Sequence, residues 1–151
     1  MFSWFKKERP ATELAAPLAA LVIGATPEGL DLDGVDQEAF RRYSACALIF
    51  AVDFAMYDVF KDTPRKHQVA DAFWEILVKE PIEGISVASE ARELLPTFGM
   101  AIQNAGPMGF SYEVGKVVAE KSGRPGDAAV IVLSAKMFIS ALGEAKRLLV
   151  A

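Results

Sequence analysis

Apolar residues recur along this chain at steps of three and four, the spacing of one helix face, and no alternating strand pattern persists beyond a few residues. Val69, Phe73, Ile76 and Leu77 form one such stripe. Residues 36–61 go further. Leu48, Ile49, Val52, Met56 and Val59 line one side, while Cys46, Phe50 and Phe54 line much of the rest. A helix apolar nearly all round is one that others cover on several sides. Residues 127–149 make a second, through Val130, Ile131, Leu133, Met137, Phe138, Leu142 and Leu149.

Polar residues punctuate the pattern. Thr12 is placed to cap a first helix running to about Ile23, with Pro17 near its first turn, where a missing N–H costs least. Asp36 reads as the N-cap of the second helix, with Val35 and Phe40 spaced as a hydrophobic staple. Thr63-Pro64 opens a third. Ser86 or Ser89 caps a stretch over 86–104 that Pro96 kinks or splits in two. Ser111 starts a helix that Ser122-Gly123 closes. Asp127 caps the last, whose Lys146 and Arg147 suit the negative end of the helix dipole. The fold class expected is all-α: a compact bundle of about six helices, with 36–61 and 127–149 central. A tail over 1–10 and a single domain over 11–151 complete the organisation.

Composition sharpens this picture. A chain of 151 residues suits one domain. Apolar residues make up 52% of it, above the usual ~45–50%. That surplus predicts apolar surface buried against another protein, a second subunit or a ligand. A net charge of −4 disfavours nucleic acid, which needs a basic face. One cysteine, Cys46, rules out an internal disulfide and a multi-cysteine zinc site, and fits a cytoplasmic location. Lys6, Lys7 and Arg9 precede an apolar stretch, but Glu8, Glu13 and Pro17 argue against a cleaved signal. Phe2, Trp4 and Phe5 beside Lys6 and Lys7 could rest on a membrane surface; a tail packing on the domain is the favoured reading of 1–7. No uncharged apolar run reaches membrane-spanning length: 43–60 holds Asp53 and Asp58, and 128–143 holds Lys136.

Candidate chemistry is sparse. Glu28, Asp31, Asp33, Asp36 and Glu38 cluster without a base over 26–38. A calcium loop with Gly34 at its sixth position would need oxygen ligands where Gly29 and Phe40 stand, so the segment is read as a solvated loop ending in a cap. As a partner-binding surface, Asp31, Asp33 and Asp36 offer carboxylates to a basic protein. His67 is the only histidine, and Asp71 one turn on is its expected surface partner. Cys46, among Ala45, Ala47 and Leu48, is expected buried and inert. Gly109-Phe110-Ser111-Tyr112-Glu113 lacks the final glycine of a nucleophile elbow, and Gly109 to Gly115-Lys116 misses a phosphate loop by one residue and by Val117. Asp53 lies mid-helix in the most apolar segment, so it needs a partner. Lys136, alone in the apolar last helix, is the expected one, and Asp53, Tyr57 and Lys136 together mark a candidate cleft. No metal site and no cofactor are expected.

The favoured function is a non-catalytic protein-interaction module: an adaptor, a regulatory subunit, or an acidic protein that neutralises a basic partner, with self-association included. The alternative is a helical pocket for an apolar small molecule or lipid, opened by breaks at Pro96, Gly99, Gly106 and Gly109. A small enzyme using Asp53, Tyr57 or His67 ranks third.

Overall fold

In the computed structural model, residues 9–27, 34–79, 87–105 and 109–150 are described. They form six helices and, among themselves, no strand: α1 (Ala11–Ala25), α2 (Gln37–Phe60), α3 (Pro64–Lys79), α4 (Ala88–Gln103), α5 (Phe110–Lys121) and α6 (Ala128–Val150). The chain is an all-α bundle with two strongly apolar helices, α2 and α6.

Local chemistry sets three of the helix starts as the sequence predicts. Asp36 accepts the Ala39 N–H at 3.1 Å, and Phe40 is fully buried with Val35 packed against the core. Thr63 Oγ1 accepts the Lys66 N–H at 3.3 Å. Asp127 Oδ1 accepts from Ala129 and Val130 at 3.0 and 3.2 Å. Its other oxygen takes Arg124 Nη2 at 2.6 Å. Arg124 and the Val130 N–H hold the Asp127 carboxyl below the usual carboxylate range. At the end of α5, Arg124 N–H reaches Ala119 O and Gly123 N–H reaches Glu120 O. This paired closure needs a left-handed residue, supplied by Gly123 at φ 82°.

Elsewhere tertiary packing outweighs the local signals. Thr12 lies inside α1, whose N-cap is Pro10. Pro17 sits well inside that helix, not near its first turn. Buried Leu14, Ala15, Leu18, Ala19 and Val22 keep α1 continuous on both sides of it. Pro96 does not split 86–104 either: α4 runs unbroken through it, with Ala91, Leu94 and Phe98 anchored in the core. Val87, without a side-chain bond, is the N-cap of α4; Ser89 lies in its first turn and Ser86 lies outside the described residues. Gly109, at φ 90°, precedes α5 where Ser111 is the expected cap.

Helix α2 touches each of the other five. The α2 start is tied to the α5–α6 connection by Asp36 N–H to Ser122 O at 3.2 Å. Its end is tied to the end of α6 by Lys146 Nζ–Asp58 Oδ2 at 2.9 Å. The two long helices therefore run in the same direction. Between them Phe50 stacks on Phe98 and on Phe138, with ring centres 5.3 and 5.9 Å apart. Phe110 closes the cluster edge-on to Phe138 at 6.0 Å. Helices α5 and α6 approach so closely that a Cβ built on Gly115 would stand 2.4 Å from the Ile131 carbonyl oxygen.

That contact sets up a contrast between two glycines. Gly115→Ala is expected to lose about 1–3 kcal/mol by overpacking backbone against backbone. Gly99→Ala, in α4 with nothing within 4 Å of a new Cβ, is expected to gain about 0.5–1 kcal/mol from helix propensity. Urea midpoints of the two variants measure both.

Candidate functional site

The structure does not bring the three predicted cleft residues together. Asp53 is half-buried on α2, and Tyr57, 53% exposed, follows it one turn along. Lys136 is exposed on α6. The expected Asp53–Lys136 pair is absent: Lys136 lies two residues from buried Ser134 and two from buried Phe138. At about 100° per residue, that turns it to the opposite side of the helix. Asp53 has no ion-pair partner within 4 Å among the described residues. Burial pushes its carboxyl above the usual range, and the Lys66 charge on α3 opposes this in part.

Lys136 belongs to a different feature, a groove of about 360 Å³ between α5 and α6. Ser111, Tyr112, Val132, Ala135, Lys136, Ile139 and Ser140 line it. Val132 and Ile139 are each 45% exposed, and Val150 at the end of the same helix is 70% exposed. At helical spacing, Val132, Lys136, Ile139, Gly143 and Val150 fall along one outward stripe. By length and composition α2 and α6 each match a membrane-crossing helix, yet 61% of the most apolar window of α2 is buried in the fold against 39% for α6. Helix α6 thus carries more apolar surface than its neighbours cover. Lys116 flanks the groove over the Tyr112 ring, 6.0 Å from its centre, and is itself paired with Glu113 at 3.2 Å.

The acidic segment is only partly visible. Asp31 and Asp33 lie outside the described residues. Asp36 is exposed, but one of its oxygens is committed to capping α2. Arg42 and Lys121 share a polar depression with Asp36 and Glu38, and the Arg124 side chain lies against Gly34. The described end of the segment is therefore of mixed charge.

The other titratable candidates have structural roles. Cys46 is fully buried, and its thiol is pushed up to about 12, chiefly by burial, with Glu90 adding to the effect and Arg42 opposing it. His67 pairs with Asp62 at 3.0 Å, not with Asp71. Asp71 instead lines a depression between α3 and α4 beside Trp74, whose ring lies under the Arg92 guanidinium at 4.9 Å. No group of three or more His, Cys, Asp or Glu among the described residues could hold a metal ion. Arg42 joins α2 to α4 through Glu90 at 2.9 Å, a tie that sequence spacing does not reveal. Known protein families, curated proteins and solved structures offer no match to this chain.

Asp53 gives a pH-dependent expectation. Its folded pKa stands above its unfolded one, so the folded state holds the proton more tightly. The penalty for its charge is present at neutral pH, is relieved as pH falls through the raised folded pKa, and is gone below the unfolded value. Asp53→Asn should therefore be more stable than wild type at pH 7. The advantage should shrink toward about pH 4, the ordinary carboxylate range. Urea midpoints across that interval are the measurement, and an offset independent of pH would contradict the assignment.

Proposed function

We propose that this chain is a protein-interaction module, an adaptor or regulatory subunit, that engages its partner through the outward face of α6 and the adjoining α5–α6 groove. One observation carries the reading: Val132 and Ile139 stand half out of the fold on one stripe, beside a groove floored by apolar side chains. Fully burying a side chain of this kind is worth roughly 1.5–3 kcal/mol. A partner that covers both completes a burial the fold leaves about half done. Scattered single apolar residues need no explanation, whereas an aligned set beside a groove marks a docking face. The face also brings Tyr112 and Lys136 to its edge, an aromatic ring and a cation that add geometric and charge specificity. The acidic segment is the weaker candidate for this role, because its described end is countered by Arg42, Lys121 and Arg124.

The reading is tested by placing a photo-crosslinking amino acid at position 139 and, as a control, at exposed position 68 on α3. Irradiation in the native host should give a heavier adduct from position 139 and none from position 68. Absence of any adduct from positions 139 and 132 would end the reading.

A further inference from the structure

We infer that the depression between α3 and α4 is a binding site for a free α-amino acid with an apolar side chain, held by its two charged groups. Asp71, Trp74, Glu75, Val78 and Lys79 of α3 and Arg92 of α4 line a space of about 290 Å³. That is the small end of ligand clefts, which run to about 300–1,000 Å³. The inference is independent of the α6 face and goes beyond the interaction-module reading.

Charge selects the class of ligand. Two carboxylates and two cations line the space, so an ion of one sign meets repulsion as well as attraction. Glu75 and Lys79 answer each other at 2.8 Å. Asp71 and Arg92 do not: neither has an ion pair among the described residues, with the other or elsewhere. These two unmatched charges stand on different helices, Arg92 over the Trp74 ring and Asp71 one turn before Trp74. Three residues span about 4.5 Å along a helix axis, an interval that a molecule with an ammonium and a carboxylate on one carbon can bridge. The carboxylate goes to Arg92 and the ammonium to Asp71.

Trp74 makes Arg92 a better receiver than a free surface arginine. The guanidinium is held 4.9 Å from the ring centre, and none of its donors has a partner among the described residues. A guanidinium placed this way can take a carboxylate in two parallel bonds. Part of the rotamer entropy that a mobile arginine would lose on binding is already lost. Val78, 59% exposed in the same depression, gives the apolar side chain a surface to cover. Helices α3 and α4 touch less than any other contacting pair, so a ligand on Asp71 and Arg92 ties together the loosest contact in the bundle.

The test is an NMR titration of the full chain with L-leucine, followed at the Trp74 indole N–H and at the backbone amides of 71–79 and 88–93. Saturable shifts confined to those groups are expected, with a Kd on the order of 1 mM, because both charges are exposed and screened. N-acetyl-leucine lacks the ammonium and leucine methyl ester lacks the carboxylate; each should bind roughly fivefold more weakly. Asp71→Asn and Arg92→Gln should each weaken leucine to the same degree. Asp71 is exposed and makes no ion pair among the described residues, so its variant keeps the fold. Glu93→Gln, exposed on α4 and outside the depression, should leave the Kd unchanged. Absence of a saturable shift overturns the site. Equal affinity for N-acetyl-leucine or the methyl ester overturns the two-charge recognition, as does leucine binding that survives Asp71→Asn and Arg92→Gln unchanged.

Discussion

The fold depends on one constraint: the middle of α2 has no side that can face water. From Ser44 to Val52 every residue of it is buried, so five other helices must close around it. The aromatic layer follows from this. Phe50 cannot be solvated, and Phe98 from α4 and Phe138 from α6 are the flat partners that enclose it. The half-buried Arg42–Glu90 bridge sits where that wrapping meets the surface. There a charge pair retains enough water contact to escape most of the cost of desolvation.

Helix α6 is bound by the same rule but obeys it incompletely. Its inner side is packed against α1, α2 and α5. Its outer side repeats apolar and small residues that no other helix in the described chain covers. That mismatch between composition and coverage is the strongest functional signal in the molecule. The proposed interaction role rests on it, while several ionisable groups around the core have structural tasks. Asp127 caps and anchors, Arg42 bridges, and Cys46 fills space.

Much of this was legible in the sequence where the physics is local. Asp36, Thr63, Asp127 and Gly123 act within one helical turn of their own positions, so residue type and spacing suffice to read them. The prolines were misleading for the converse reason. The cost of Pro17 or Pro96 inside a helix is visible in sequence, but the offsetting burial of Leu18 or Phe98 depends on helices distant along the chain. The Asp53–Lys136 pair failed on phase: both residues lie in apolar helices, yet a half-turn separates Lys136 from the buried side. Composition announced surplus apolar surface. It could not say that the uncovered side was the one through Val132 and Ile139, because which face of a helix remains open is decided by the other helices.

The tight closure at Ser122, Gly123 and Arg124 has a kinetic consequence. It joins α5 to α6 through a connection of six residues, braced by Arg124 on Asp127 and by the near-contact of Gly115 with Ile131. Contacts this close in sequence cost little loop entropy and form early in folding. The α5–α6 hairpin is thus suited to serve as a nucleus on which the remaining helices condense. The outward surface it carries would then be shaped before the core is complete, and would be among the last to be lost when the bundle breathes.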